Sequence, residues 1–310
     1  MNKKTVFLFA FVICSVNIMA QRVGSSPEYI EALTVEWKGE RFPDGRPKVP
    51  DAMLERLKDI SIEEAWGVLR NKGFRNQFEG NWHIINPEES MTGRVVTAQY
   101  MPSRPDLENQ VKEQGKIEER AQKGGTNSWP IDVLTTGDVY VADGYGKIVD
   151  GTLIGDNLGN AIYANSKNGV ILYGSVRDEQ GLAEIEGFNG WIKGSDPSYI
   201  TGMMLTSINA PIRVGRAIVL PGDVVLANEY GVIFIPAYLV EDLVLTSEIT
   251  GLRDEFGHQR LREGKYLPGQ IDSKWTEEIK EDFLDWLNNY PGKLPMSKEE
   301  LDNYLKERNY

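Results

Sequence analysis

Cysteine is nearly absent from this chain: Cys14 is the only one in 310 residues. No disulfide framework can form within it, and beyond the N-terminus no thiolate chemistry is available. Histidine is almost as scarce. His83 and His258 are the only two, which rules out a histidine-rich metal site and leaves no Ser-His-Asp set with a specific spacing. His83 follows Trp82 in a mixed turn and reads as structural, while His258 lies in a charged helix and reads as solvated. No apolar run reaches the roughly 20 residues that a membrane span needs. The run Val6 to Val16 instead sits behind Lys3 and Lys4 and ahead of Asn17-Ile18-Met19-Ala20, the three-part pattern of a secretory signal. The expected product is secreted or periplasmic, with no membrane attachment after cleavage before Gln21.

Positive charge is also in deficit. The 34 Lys and Arg against 46 Asp and Glu give a net charge of −12, which disfavours nucleic acid and anionic membrane surfaces as partners. A small anion held in a local positive pocket remains compatible with that balance. Nucleotide signatures are missing as well. The turn Asp143-Gly144-Tyr145-Gly146 has no GxGxxG frame and no P-loop lysine after it, so it reads as a strand exit.

What is present is globular, with 41% hydrophobic residues. Four segments are expected: a signal peptide over 1–20, an N-terminal arm over 21–50, a main domain over 51–245 and a helical C-terminal extension over 246–310. The arm is broken by Pro27, Pro43, Pro47 and Pro50, with one short helix around Glu28 to Trp37. Asp51 to Lys58 and Ser61 to Lys72 are amphipathic helices, the second opened by a Ser61–Glu64 capping box. Ser103 to Pro130 is polar and long and reads as a helix-bearing insertion or flap. Arg94 to Tyr100, Val139 to Ala142 and Gly169 to Tyr173 are strand-like, and short apolar runs separated by turns continue to Ile235. In the tail, Trp275, Ile279, Phe283, Trp286 and Leu287 share one helical face, and Ser297 with Glu300 caps a last helix.

The chemistry concentrates in Gly155 to Asp178. A Gly155-Asp156 helix start is followed by about three helical turns, an apolar strand, and the pair Arg177-Asp178, a D-x20-R-D pattern. A helix folded back on the strand after it can bring Asp156 near Arg177 and Asp178. Two carboxylates, a guanidinium, Gly155 and the free amides of Asn157, Leu158 and Gly159 would then share one place, suited to a hard divalent cation and an anionic substrate. Each part also has a plainer reading. Asp156 sits where an N-cap belongs, Asp178 could cap a helix over Glu179 to Ile185, and Arg177 could pair with any surface acid.

The runs LTTGDVYVADGYG, GD, GVILYGSVRD and PIRVGRAIVLPGDVVLANEYGVIFIP, taken together, resemble one family. It contains 4-hydroxy-4-methyl-2-oxoglutarate/4-carboxy-4-hydroxy-2-oxoadipate aldolase and the regulator of ribonuclease activity A, and the likeness covers roughly Asp51 to Leu245. The resemblance implies an α/β fold, a swivelling αββα sandwich with a mixed sheet, assembled as a homotrimer or hexamer with the site at a subunit interface. By the same resemblance, Asp178 holds Mg²⁺ or Mn²⁺ and Asp156 holds metal-bound water. Arg177 steadies an enolate oxygen, and the amides of Asn157 and Leu158 receive a pyruvyl carboxylate. A glutamate from a neighbouring subunit falls near Asp254 or Glu255, with Glu255 taken for the role. Tyr173 departs from the pattern, standing where many aldolases carry an acid. The reading is a secreted metal-dependent carbon–carbon lyase, aldolase- or decarboxylase-like, for a small 2-oxo acid or keto-sugar-derived substrate. The alternative is a non-catalytic binding or regulatory protein on the same scaffold, and the retained Asp178 favours the enzyme.

Overall fold

Alternation along the strands sends one set of side chains into a shared interior and the other set under helices. The computed structural model describes residues 22–308, so the expected leader over 1–20, with Cys14, lies outside the described residues. Among the described residues there are twelve strands: β1 (Phe78–Glu79), β2 (His83–Ile84), β3 (Met91–Pro102), β4 (Asp138–Asp143), β5 (Thr152–Ile154), β6 (Val170–Val176), β7 (Gly190–Ser195), β8 (Met203–Ile208), β9 (Ile212–Val214), β10 (Ala217–Val219), β11 (Val224–Asn228) and β12 (Gly231–Ile235). Ten form one mixed sheet in the order β1-β12-β11-β3-β4-β6-β7-β2, with β5 beside β6 and β8 beside β3; β9 and β10 make a separate hairpin. The central pairs β3–β4, β4–β6 and β6–β7 are parallel.

The two ends of that order, β1 and β2, are joined by only Gly80, Asn81 and Trp82. The sheet therefore curls until its edges meet, and a flattened barrel of two walls results. Val95, Val139, Ile171, Trp191, Val225 and Phe234 fill the space between the walls, together with the β9–β10 hairpin. At the seam Lys193 Nζ lies 4.8 Å from the Trp82 ring centroid and 5.4 Å from that of Tyr173, and it donates to Asn81 O at 2.7 Å.

Helices cover both walls. They are α1 (Pro27–Leu33), α2 (Asp51–Leu57), α3 (Ile62–Asn71), α4 (Pro105–Ile117), α5 (Asp156–Ser166), α6 (Glu179–Ala183), α7 (Val240–Arg262), α8 (Pro268–Ile271), α9 (Glu277–Asn288) and α10 (Lys298–Glu307). On one wall Val111 of α4, Ile162 of α5 and Leu182 of α6 pack on Val96, Tyr140 and Leu172. On the other, α2, α3 and the start of α7 pack on Leu226 and Ile233. Helix, sheet, sheet, helix is the αββα order expected from the resemblance.

Two stretches are more deeply built in than the sequence suggested. The N-terminal segment is no loose arm: Arg46 is 1% exposed and makes a bidentate pair with Asp138, at 2.9 and 3.0 Å. The carboxylate of Glu118 also accepts from the amides of Val23 and Gly24. The 103–130 stretch bears a helix as expected, yet it is packed rather than free to flap. Val111 and Trp129 are buried, and the Trp129 ring lies against Gly115. The C-terminal helices follow the sequence closely. Trp275, Ile279, Phe283, Trp286 and Leu287 are all buried, and both capping boxes form. α7 runs unbroken through the expected boundary at 245.

Candidate active site

Strands β5 and β6 are parallel neighbours, with Ile154 opposite Val176. The residues that follow, Gly155-Asp156 and Arg177-Asp178, therefore leave the sheet side by side. This is the carboxyl end of the parallel strands, where open α/β sheets place their sites. The Arg177 amide donates to Ile154 O at 3.0 Å and ties the two exits together.

Three glycines allow the close approach. A Cβ on Gly155 would stand 2.7 Å from Asp178 Oδ2 and 3.2 Å from Arg177 Nε. One on Gly181 would stand 2.9 Å from Asp156 Cβ, and one on Gly159 would meet the end of the Leu182 side chain. α5 and α6 thus interlock through their glycine faces. Asp156, Arg177 and Asp178 are brought to one shelf, as the D-x20-R-D spacing predicts. Arg177 and Asp178 side chains are each 42% exposed, with Arg177 Nε 3.6 Å from Asp178 Oδ2.

The details of the helix mouth differ from expectation. The cap position is Gly155, in extended backbone, and Asp156 is the first helical residue. Asp156 Oδ1 accepts from the Asn157 amide at 2.7 Å. The Gly159 amide donates to Gly155 O at 2.9 Å, so it closes the first helical bond and is unavailable to a ligand. The Leu158 amide keeps no acceptor among the described residues. An anion at this mouth would meet Leu158 first and Asn157 in competition with Asp156.

Asp178 does occupy the N-cap of α6, but at φ 53° and ψ 40° and with no side-chain cap bond. Left-handed backbone at an aspartate costs energy and is held only where the surroundings fix it. Its carboxylate makes no cap bond and instead lies beside Arg177, half exposed. Glu255 stands elsewhere: it lies on α7, in the opposite helical layer, and accepts from the Tyr290 hydroxyl at 2.8 Å. Within one chain it is not part of this shelf.

One neighbour went unread in the sequence. His83 Nε2 is 2.6 Å from Glu179 Oε1, across 96 residues of chain, and Glu179 directly follows Asp178. Only the closure of β2 onto β7 brings the two together, and no local signal carries it.

Among the described residues no three His, Cys, Asp or Glu side chains converge as a metal cage. The donor set offered is Asp178, with Asp156 nearby. One or two carboxylates with the remaining positions left to water and substrate suit Mg²⁺ or Mn²⁺, and suit zinc, which favours nitrogen and sulfur, poorly.

A family model described as RraA-like, Aldolase/RraA, matches residues 47–234. A Stutzerimonas stutzeri protein bearing the name 4-hydroxy-4-methyl-2-oxoglutarate aldolase is 33% identical over 106 residues, which are 34% of this chain and 64% of that one. The match thus spans slightly less than two thirds of that relative. An Alcanivorax borkumensis protein of the same name is 26% identical over 52% of this chain and 86% of its own. A crystal structure of a Streptomyces coelicolor RraA-family protein superposes with a TM-score of 0.59 at 23% identity, covering 69% of this chain and all of that one. That likeness establishes the fold.

Proposed function

Because this chain belongs to the RraA-like (Aldolase/RraA) family, we propose that it is a divalent-metal-dependent lyase. It would cleave a carbon–carbon bond beside the carbonyl of a small 2-oxo acid or keto-sugar-derived substrate. The observation that carries this reading is the uncapped, half-exposed carboxylate of Asp178 beside Arg177, at the mouth of α5.

Asp178 would hold Mg²⁺ or Mn²⁺, with Asp156 nearby. When bound, such an ion supplies Lewis acidity toward the substrate carbonyl. The chain's own residues supply the rest. The Leu158 amide, at the positive end of α5, receives the substrate carboxylate. The Arg177 guanidinium faces the oxygen on which negative charge grows and stabilises that charge. Asp156 orients the water that takes the proton from the hydroxyl on the far carbon of the bond to be cleaved. The electron pair left on that oxygen forms the carbonyl of the departing fragment, the bond between the carbons breaks, its electron pair passes into a pyruvate enolate, and the enolate carbon takes up a proton to give pyruvate. A β-carboxylate leaving as carbon dioxide would yield the same enolate.

The test is pyruvate release from oxaloacetate with and without Mn²⁺, corrected for the metal-only rate. Metal-stimulated activity that falls about 100-fold in Asp178→Ala is expected. Activity that ignores both metal and substitution would instead favour a binding or regulatory role for the scaffold.

We also read the leader as an export signal, and N-terminal sequencing of the exported product should begin at Gln21. Assembly as a trimer or hexamer, which would let Glu255 of one copy approach the shelf of the next, is testable by light scattering. A monomeric mass would remove Glu255 from the mechanism.

A further inference from the structure

Asp178 holds an unfavourable left-handed backbone in the middle of the candidate site, and something must keep it there. Most of its restraints are local to the β5–α6 stretch. They are the Arg177 amide on Ile154 O, the Leu182 amide on Asp178 O at 3.0 Å, and the close contact with Gly155. Two polar ties reach this turn from outside the stretch: the Asp196 amide on Val176 O at 3.0 Å, at the end of β6, and the half-exposed contact of His83 Nε2 with Glu179 Oε1 at 2.6 Å, on the far side of Asp178. Glu179 is the next residue in the chain and the first of α6. His83 belongs to β2, the strand that closes the sheet against β7, and its main chain is fixed there by the pairing of His83 with Ile192. The donor is thus mounted on the two-residue strand that pairs with β7, and the acceptor on the turn that needs holding.

We infer that His83 is a positioning residue for the metal-holding turn. By gripping Glu179 it keeps the Asp178 carboxylate aimed into the shelf, and loosening the grip would lower divalent-ion affinity without touching the ion's own ligand. Groups that orient a ligand from behind in this way commonly matter about 10–100-fold in affinity. The inference rests on the reading of Asp178 as the metal-holding residue, and the experiment separates the two.

Mn²⁺ binding to the full chain is followed by the electron paramagnetic resonance signal of the free ion, with thermal unfolding as a fold check. Wild type is expected to bind one Mn²⁺ per chain and Asp178→Asn to bind none. His83→Ala should weaken binding roughly 10-fold. His83→Gln, which keeps an N–H donor, should recover most of that loss. Glu179→Ala removes the other half of the tie and should match His83→Ala, which keeps the test decisive if one variant folds poorly. Wild-type affinity in His83→Ala and Glu179→Ala, with Asp178→Asn still inactive in binding, would overturn the inference and leave the metal reading standing. Equal weakening in His83→Ala and His83→Gln would also overturn it. Binding unchanged in Asp178→Asn would overturn the metal reading itself, and the inference with it.

Discussion

The Gly155 backbone lies against the Asp178 carboxylate, so close that a Cβ at 155 would sit 2.7 Å from Oδ2. Gly155 is in extended backbone that any residue adopts, and space rather than dihedral freedom is what requires glycine here. Gly155→Ala should therefore fold normally but push Asp178 and Arg177 aside. A loss of about 100-fold in kcat/KM, the scale of a 1 Å misplacement, with an unfolding temperature within a few degrees of wild type, is the expected result of paired kinetic and melting measurements.

Gly159→Ala sets two effects against each other. Alanine in a helix interior is favoured over glycine by about 1 kcal/mol. Against that, the new methyl would run into Leu182, which is fully buried between α5 and α6. Overpacking a filled core costs about 1–3 kcal/mol, so the variant should be the less stable protein in urea titration. A more stable variant would mean that the α5–α6 contact yields easily.

Arg46 and Asp138 form a buried pair, at 1% and 0% side-chain exposure. Truncating one partner strands a charge, which costs about 3–5 kcal/mol. Arg46→Ala and Asp138→Ala should each lower stability on that scale. The double substitution should cost clearly less than the sum, as read from a double-mutant cycle in denaturant.

Burial pushes the Asp223 carboxyl up to about 7, despite a hydrogen bond from the Leu220 amide that works the other way. The unfolded chain releases the same proton near pH 3.9. The folded state therefore binds the extra proton in between. Its contribution is fully present below about pH 4 and is lost as pH rises through about 7. Asp223→Asn keeps an acceptor for Leu220 and removes the titration. Between pH 5 and pH 8 its unfolding temperature should change less than that of wild type, which declines over that range through this group.

The parts of this molecule readable beforehand were those whose cause is local. Ser61 with Glu64 and Ser297 with Glu300 announce helix starts because the capping bonds span three residues. The α9 face was legible because helical spacing puts Ile279, Phe283 and Trp286 on one side. The Asp156, Arg177 and Asp178 constellation was legible because one helix and one strand suffice to assemble it. Hidden were relationships made by distant pairing. Arg46 meets Asp138 across 92 residues, and His83 meets Glu179 only after the sheet has closed. The helix mouth was misjudged by one position because glycine caps through its backbone alone, leaving no side-chain signature at 155.

The seam at Gly80 to Trp82 sets a schedule for folding. β1 pairs Phe78 with Ile233, and β3 pairs Arg94 with Val224, so the wall begun early is completed only by the last two strands of the sheet. A chain emerging from the ribosome cannot shut its interior until about residue 235 is available, and contacts so remote in sequence form slowly. Until then the inward apolar faces of β3, β4 and β6 lack the opposite wall that β11 and β12 supply.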